Sequence, residues 1–309
     1  MANGENGEAA QPAEPAEPAA GPMRPIAFCG LGIMGGPMAA NLARAGFVLS
    51  VYTRTEEKAE RFAAEHGARA AATPREAAEG ASVVITMVPD APQVEEVLLG
   101  EQGAAHGLAE GGLAIDMSTI APTAARAIGE RLADDGIAFL EAPVSGSRPK
   151  AEDGTLTIMV GGERAEFERA LPLFEAMGQR IVHVGPQGHA QLAKLLTNTM
   201  GAVHAVALAE SVLAAERAGL DPDAFLEVAA GSAGNSTVLG LKGRPMFEGD
   251  FKPLFKLEHM LKDVRHCLDE ARALGVELRL GSLVESLYAR AAEDGHAEED
   301  FAAVIRALE

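Results

Sequence analysis

The chain has 309 residues, of which 48 % are hydrophobic, and this length and composition suffice for two domains of ordinary size. Its formal net charge of −19 disfavours nucleic acid and anionic membranes as partners, because a strongly acidic surface repels them. The two cysteines, Cys29 and Cys267, provide neither a disulfide framework nor a zinc spacing, and the eight histidines do not cluster, so no metal site is expected.

Residues 1–22 are mostly Ala, Pro, Glu and Gly, a composition that predicts a disordered tail. They lack the basic and apolar regions of a signal peptide, and no apolar run is judged long enough to cross a membrane. We therefore expect a cytoplasmic protein.

Strand and helix patterns alternate from residue 25 to residue 184. Strands are predicted at residues 25–29, 47–52, 68–70, 82–88, 113–117, 138–144, 156–160 and 181–184, and helices at residues 37–45, 56–65, 74–79, 92–99, 122–133 and 163–177. This alternation predicts an α/β fold with a Rossmann-type, doubly wound and largely parallel sheet that helices cover on both faces.

Only helices are predicted beyond Gly188, at residues 190–218, 222–231, 254–274 and 280–292. The first of them is apolar on nearly every side, which indicates a helix buried on most faces, between two domains or between subunits. We expect a dinucleotide-binding domain at residues 23–187 and a helical substrate and oligomerisation domain at residues 188–309. Clefts between domains are where ligands usually lie.

The turn Gly30-Leu31-Gly32-Ile33-Met34-Gly35 joins the first strand to the first helix, which is the context that a dinucleotide fingerprint requires. Gly30 permits the tight turn, Gly32 lets a pyrophosphate approach the backbone, and Gly35 lets the helix pack close to the strand. The helix N-terminus adds free N–H groups for the phosphates. An ordinary glycine turn is the alternative, and the agreement of strand, turn and helix disfavours it.

The end of the second strand bears on the choice of cofactor. NAD-type folds place an acidic residue about 20 residues past the glycines, on the ribose hydroxyl. This chain has Thr53-Arg54-Thr55 there, and Glu56 and Glu57 belong to the next helix. Arg54 can bind a 2′-phosphate and stack on adenine, so NADP (NADPH) is favoured over NAD. The alternative is a solvated surface arginine.

Two other strand ends carry polar residues, namely Asp116-Met117-Ser118-Thr119 and Ser145-Gly146-Ser147. Strand ends of this kind face the ligand crevice. The hydroxyls of the first segment alternatively cap the helix that opens at Pro122. The second segment offers hydroxyls and free N–H groups to an anion, although a plain turn explains its spacing at least as well.

Lys194 and Asn198 lie one helical turn apart and share a helix face. A lysine in an apolar helix is costly unless it is used or paired, and burial makes it a usable proton donor by lowering its pKa. A structural pair with a carboxylate such as Glu210 is the alternative. Lys262-Asp263 is a further candidate, with a surface ion pair as its alternative.

Together these segments resemble the β-hydroxyacid dehydrogenase family over about residue 24 to the end. The matching segments are residues 30–35, 116–119 and 142–146, Lys194 with Asn198, and Lys262-Asp263. The resemblance implies an NAD(P)-dependent oxidoreductase with a nucleotide-binding domain, a helical domain and a homodimeric or homotetrameric assembly.

The resemblance also implies roles for individual residues. Lys194 is implied to be the catalytic lysine, with Asn198 beside it. The implied substrate contacts are Ser118, Ser145, Gly146, Ser147, Lys194 and Asn198, and the implied cofactor contacts outside the glycine turn and residues 53–55 are Val88, Pro89, Thr119, Phe255 and Lys262.

Many members read Asp-Ala-Pro-Val-Ser-Gly-Gly where this chain has Glu141 first and Ser147 last. Residues 141–156 and 295–301 are similar to the glyoxylate/succinic semialdehyde reductase branch, which generally uses NADPH. Imine reductases lack the lysine, so Lys194 argues against that branch. We expect an NADPH-dependent reductase of small aldehyde acids with Lys194 as proton donor. The alternatives are a 3-hydroxyisobutyrate or tartronate semialdehyde-type dehydrogenase and a non-catalytic binding module on the same fold.

Overall fold

A computed structural model describes residues 25–309 of the chain, so the predicted tail at residues 1–22 lies outside the described residues. The strands are β1 (Ile26–Cys29), β2 (Leu49–Tyr52), β3 (Arg69–Ala70), β4 (Val83–Thr86), β5 (Leu113–Asp116), β6 (Ala138–Glu141), β7 (Val144–Ser145), β8 (Leu156–Gly161) and β9 (Gly178–Gly185). The helices are α1 (Gly35–Arg44), α2 (Glu56–His66), α3 (Pro74–Ala78), α4 (Ala91–Leu99), α5 (Pro122–Asp134), α6 (Ser147–Asp153), α7 (Arg164–Met177), α8 (His189–Ala218), α9 (Pro222–Ala230), α10 (Thr237–Glu248), α11 (Leu257–Ala273) and α12 (Arg279–Ala291). Short helical turns cover Ala104–Gly107, Ala292–His296 and Phe301–Ala307.

All nine strands belong to one sheet, in which the first six run parallel in the order β3-β2-β1-β4-β5-β6. Strand β8 runs antiparallel to β6 and β7, and β9 pairs with β8 in parallel. The predicted Rossmann-type α/β fold with helices after the sheet is therefore confirmed. The parallel arrangement holds for β1 to β6 and breaks at β8.

Helices cover both faces of the sheet, as the alternating side chains of β1 show. Ile26 and Phe28 belong to one core with residues of α1 and α7, whereas Ala27 and Cys29 belong to another with residues of α4 and α5. A fully buried side chain of the size of Phe28 contributes about 1.5–3 kcal/mol to stability. Cys29 is an inert core residue, as predicted, because burial raises the pKa of its thiol to about 12.

Several elements differ from the sequence prediction. The predicted strand at residues 138–144 is divided into β6 and β7, because Pro143 between them has no N–H to donate to a neighbouring strand. Helices α6 and α10 and the turn at Phe301–Ala307 were not predicted. Helix α10 contains Pro245 and two glycines, which are weak helix formers, but Ser236 caps its start by accepting from Leu239 N at 3.0 Å and the helix packs on α8.

Helix α8 is 30 residues long and lies between the sheet and the other helices. It contacts β8, β9 and α5 as well as α10, α11 and α12, so it packs against both the sheet part and the other helices. The prediction that most faces are buried is wrong for one stretch, because Leu196 and Met200 are 39 % and 59 % exposed. By length and composition alone α8 could also cross a membrane, contrary to the sequence estimate, but these contacts identify it as the central packing helix.

A buried ion pair holds the helical part together. Lys242 Nζ lies 2.8 Å from the carboxylate of Asp300, and both side chains are less than 5 % exposed. Asp300 also accepts from Leu254 N at 2.9 Å, and the Lys242 ammonium lies 4.7 Å from the ring centre of Phe301. The pair thus joins α10, the segment before α11 and the C-terminal turn, and loss of one partner from such a pair costs about 3–5 kcal/mol.

Candidate active site

The glycine turn after β1 has the geometry that the sequence predicts. Gly30 has a φ of +113°, and a Cβ there would collide with the carbonyl oxygen of Met87. A Cβ on Gly35, the first residue of α1, would collide with the carbonyl oxygen of Gly30. A Cβ on Gly32 would meet no atom within 4 Å, so the backbone there is open to an approaching ligand.

A cavity of about 540 Å³ extends from this turn to the end of β2. Of the residues predicted to contact a cofactor, those that line it are Gly30, Gly32, Thr53, Arg54, Thr55, Val88 and Pro89. Lys58 of α2 also lines it and was missed by the sequence analysis, although it lies one helical turn beyond Arg54. Leu31 is instead buried in the core, and Ile33 is 53 % exposed.

Glu56 and Glu57 lie in the first turn of α2, as predicted, so the end of β2 carries no carboxylate. Arg54 and Lys58 supply two cations to this cavity, which Glu96 and Glu101 also line, on a protein that is acidic overall. A local pair of cations is what an anionic ligand requires when the overall field repels it.

The segment after β5 is held tightly to its neighbours. Asp116 Oδ1 accepts from Thr86 Oγ1 at 2.7 Å and from Ser118 N at 3.1 Å. Ser118 is fully buried, and its hydroxyl oxygen accepts from Val88 N at 3.0 Å, which fixes the loop after β4. The alternative capping role is wrong, because α5 has Ala121 at its cap position and no side chain bonds there.

Lys194 is 7 % exposed, and its Nζ donates to Asn198 Oδ1 at 3.0 Å. Asn198 Nδ2 in turn donates to Asp263 Oδ2 of α11 at 2.6 Å. Burial lowers the pKa of Lys194 from 10.5 to about 8; Asp263 opposes this shift and Lys262 adds to it. The alternative pairing with Glu210 is wrong, because Glu210 lies about 24 Å further along the same helix at 1.5 Å per residue.

Lys262 joins the helical part to the sheet. Its Nζ donates to the carbonyl oxygens of Pro89, at 3.1 Å, and of Thr119, in a shorter contact. It also lies 3.3 Å from Asp263 Oδ1, and only 2 % of the Asp263 side chain is exposed, so the alternative of a surface ion pair is wrong. The structure thus brings Lys194, Asn198, Asp263 and Lys262 together beside the loops that end β4 and β5.

Phe255 lies in the segment before α11, where its N–H donates to Asp300 Oδ2 at 3.3 Å. Its ring centre is 6.3 Å from that of Phe301. Phe255 is therefore held in place by the buried ion pair of the helical part.

Gln191, which the sequence analysis missed, adds a second link between α8 and the sheet. Its Nε2 donates to Ser118 O at 2.9 Å, and its Oε1 accepts from Ile120 N at 3.1 Å. The signal in the sequence was a glutamine three residues before Lys194 in an otherwise apolar helix, and the structure shows that its amide is fully buried. Asp263 had been noted only as the neighbour of Lys262.

The turn at residues 145–147 has unusual backbone geometry. Gly146 has a φ of +140°, and Ser147 has a φ of +57°, which makes it the one non-glycine residue with positive φ among residues 25–309. The stem of Lys150 covers Gly146, and Arg148 forms an exposed ion pair with Glu152 at 2.7 Å. No hydrogen bond between the described side chains links this turn to Lys194.

Comparison with known proteins extends over almost the whole described chain. Residues 25–185 match a family model described as the NAD binding domain of 6-phosphogluconate dehydrogenase. Residues 188–308 match one described as NAD-binding of NADP-dependent 3-hydroxyisobutyrate dehydrogenase.

Three curated relatives are similar along their length. A 2-hydroxy-3-oxopropionate reductase of Escherichia coli is 38 % identical over 92 % of this chain and 97 % of its own. An NAD-dependent L-serine dehydrogenase of Pseudomonas aeruginosa is 39 % identical over 91 % of this chain and 97 % of its own. Glyoxylate/succinic semialdehyde reductase 2 of Arabidopsis thaliana is 34 % identical over 92 % and 79 %.

Solved structures agree with this grouping. A 3-hydroxyisobutyrate dehydrogenase of Salmonella typhimurium superposes with a TM-score of 0.84 at 30 % identity, over 92 % of this chain and 99 % of its own. The structure of the 3-hydroxyisobutyrate dehydrogenase of Mycobacterium tuberculosis with L-serine superposes with a TM-score of 0.83 at 37 % identity, over 93 % of this chain and 99 % of its own.

Two glycines of the turn, Gly32 and Gly35, should separate stability from dinucleotide binding. Gly32→Ala should change the free energy of unfolding by less than about 0.5 kcal/mol, because its Cβ meets no atom. The same variant should weaken dinucleotide binding at least about tenfold, since a methyl group then occupies the phosphate approach. Gly35→Ala is the matched control and should destabilise the fold by more than about 1 kcal/mol.

Thermal unfolding and NADPH fluorescence titration measure the two effects. Normal dinucleotide affinity in Gly32→Ala would show that the phosphates do not approach at this glycine.

Proposed function

This chain belongs to the β-hydroxyacid dehydrogenase family of NAD(P)-dependent oxidoreductases, and we propose that it reduces small aldehyde acids to hydroxy acids with NADPH. Glyoxylate and succinic semialdehyde are the substrates that we would test first. The proposed boundary between its two domains lies at residues 187–188.

The observation that carries the proposal is the buried lysine beside the loops that end β4 and β5. Lys194 is held by Asn198, which Asp263 orients from another helix. With a pKa lowered to about 8, Lys194 is mostly protonated at neutral pH and still able to release a proton. We assign it the role of donating a proton to the oxygen of the substrate carbonyl, while Asn198 keeps the ammonium in position.

The residues present fit a dinucleotide. The open backbone at Gly32 and the N-terminus of α1 suit the pyrophosphate, and Arg54 with Lys58 suits a 2′-phosphate. The bound nicotinamide supplies the hydride. We assign the surroundings of the nicotinamide to Val88, Pro89, Thr119, Phe255 and Lys262. Within this set, Lys262 donates hydrogen bonds to the carbonyl oxygens of Pro89 and Thr119.

We assign the substrate carboxylate to Ser145, Gly146 and Ser147, which offer hydroxyl groups and backbone N–H groups at the end of β7. Ser118 was predicted to touch the substrate. It is fully buried and its hydroxyl oxygen accepts from Val88 N, so we assign it to supporting the wall instead.

A hydroxy-acid dehydrogenase acting in the oxidative direction is the second candidate. The similarity to an NAD-dependent L-serine dehydrogenase favours it. The same lysine would serve there, because a pKa of about 8 leaves a fraction neutral that can accept a proton.

A homodimer or homotetramer is part of the proposal. The exposed Leu196 and Met200 on α8 and the exposed Leu280 and Leu283 on α12 are apolar surface that a second copy would bury.

Replacement of the lysine should abolish most of the turnover. Lys194→Ala should lower kcat by about two to four orders of magnitude, the usual contribution of a positioned proton donor. KM for NADPH should change little, because the phosphates bind at the glycine turn. The decrease in NADPH absorbance measures the rate, and Lys252→Ala, at a side chain that is 91 % exposed, is the control.

The pH profile gives a second measurement for the same lysine. Reduction should decline as the pH rises through about 8, where Lys194 loses its proton. Asp263→Asn removes the negative charge that stabilises the ammonium, so the decline should move to lower pH. An unchanged profile in Asp263→Asn, or normal turnover in Lys194→Ala, would remove the lysine from the mechanism.

Arg54 should discriminate between the two dinucleotides. Arg54→Ala should weaken NADPH binding by about 1.5–3 kcal/mol, the contribution of a charge-assisted hydrogen bond, and leave NADH binding nearly unchanged. Adding Thr53→Asp should shift the preference towards NADH. Fluorescence titration with both cofactors measures this, with Arg61→Ala, at an exposed position of α2, as control. Equal losses for both cofactors would contradict a 2′-phosphate site.

The turn at residues 145–147 should favour acids over neutral aldehydes. Ser145→Ala should lower kcat/KM for succinic semialdehyde about tenfold and leave the value for butyraldehyde unchanged, because only the acid loses a charge-assisted bond. Ser211→Ala, at an exposed position of α8, is the control. Equal reduction of both aldehydes by the unaltered protein would mean that no carboxylate site exists.

A further inference from the structure

Two fully buried carboxyl groups lie side by side where β5 and β6 end. Asp116 and Glu141 are register partners in the parallel ladder, so their side chains lie on the same face of the sheet. Neighbouring strands are about 4.8 Å apart, and both residues have no exposed surface.

Each carboxyl group uses one oxygen and leaves the other bare. Asp116 Oδ1 is taken by Thr86 and by Ser118 N, as described above. Glu141 Oε1 accepts from Ala190 N at 2.7 Å and from Gln191 N at 3.3 Å, in the first turn of α8. Asp116 Oδ2 and Glu141 Oε2 are both buried with no hydrogen-bond partner among the described residues.

Two neighbouring buried carboxylates cannot both ionise without a large electrostatic penalty. One proton between them would give each bare oxygen a partner, because one becomes the donor and the other the acceptor. Burial, with a smaller contribution from the charge of Asp116, raises the pKa of Glu141 to about 7, against the opposing effect of hydrogen bonds from the N–H groups of Gly188, Ala190 and Gln191. Burial also raises the pKa of Asp116, and Lys262 and the hydrogen bonds from Ser118 and Thr86 oppose it.

We propose that Asp116 and Glu141 share one proton, and that this proton fixes the first turn of α8, and with it Lys194, against the loop at residues 116–120. The pair is a positioning element and does not touch the substrate. It acts on the same helix face as the lysine, since Ala190 and Gln191 precede Lys194 by four and three residues. The side chain of Gln191 completes the contact through Ser118 and Ile120.

Loss of the shared proton places two anions next to each other under the start of α8. Their repulsion loosens the contact between the ends of β5 and β6 and moves the first turn of the helix. The position of Lys194 therefore depends on an ionisation that is not its own.

Thermal unfolding across a range of pH tests the shared proton without any substrate. A carboxyl group whose pKa is raised from 4.5 to about 7 contributes stability below 4.5 that is lost as the pH rises to about 7. Glu141→Gln is always neutral and can donate to Asp116. Its Tm should therefore rise relative to that of the unaltered protein by a few degrees across this window, and Asp116→Asn should behave in the same way.

The double variant and a surface control complete this test. If the proton is shared, the two substitutions are not additive in Tm, because either one alone removes the repulsion. Glu210→Gln, at an exposed acid of α8, should follow the unaltered protein at every pH. The shared proton would be overturned by Tm differences that do not vary with pH, or by a double variant whose Tm change equals the sum of the two single changes. If Glu141→Gln does not fold, the pH dependence of Tm in Asp116→Asn alone decides the question.

The pH profile of kcat tests the positioning role, and any substrate that the protein turns over can be used for this measurement. The unaltered protein should lose kcat in two steps, a smaller one near pH 7 as the shared proton leaves and the main one near pH 8 as Lys194 titrates, whereas Glu141→Gln should show only the second step. KM for NADPH should not change. A variant that is merely less stable and keeps the original profile would overturn the positioning role. Because this inference rests on the geometry of α8, an absence of turnover with aldehyde acids would leave the unfolding test intact.

Discussion

The site depends on bringing one ammonium group into the interior of an apolar helix. A buried charge without a partner costs several kcal/mol, and α8 itself supplies only the neutral amide of Asn198. The compensating negative charge comes from Asp263 on α11, which also lowers the cost of burying the amide between them. Helix α11 must therefore pack on α8 with this carboxylate facing Lys194, and this requirement sets the arrangement of the helical part.

The same packing places Lys262 at the junction with the sheet. Lys262 and Gln191 both reach the loops that follow β4 and β5, and their hydrogen bonds there are all with backbone atoms. Lys262 Nζ also lies 3.9 Å from the carboxylate of Asp90 in the loop after β4. The junction therefore consists of side chains from α8 and α11 and mostly of main chain from the sheet edge, where Asp90 adds a carboxylate 3.4 Å from His266 Nε2. Ligands bind at this edge in doubly wound folds, so the helices that complete the site are anchored where a cofactor would lie.

The nucleotide-binding half was largely predictable from the sequence because its signals are local. Strand periodicity, the glycine turn and the absence of an acid after β2 each depend on a few consecutive residues. The partners of Lys194 were not predictable in this way, since Asp263 lies 65 residues away and only packing brings it near. Helix α10 was missed because its glycines and proline have poor helix propensity, and burial of Lys242 against Asp300 overrides that propensity.

The turn at residues 145–147 shows how one departure from the family pattern acquires a physical meaning. The family pattern that this sequence resembles has glycine at the position of Ser147, and Ser147 adopts a φ of +57°, a region in which glycine is unstrained. A side chain in this conformation costs about 1–2 kcal/mol. No core contact explains a serine there, because Ser147 is partly buried at the start of α6 and Ala151 is the residue by which this seven-residue helix enters the core. Strain that packing does not explain is found most often at ligand sites, which favours a role for this hydroxyl in holding the substrate.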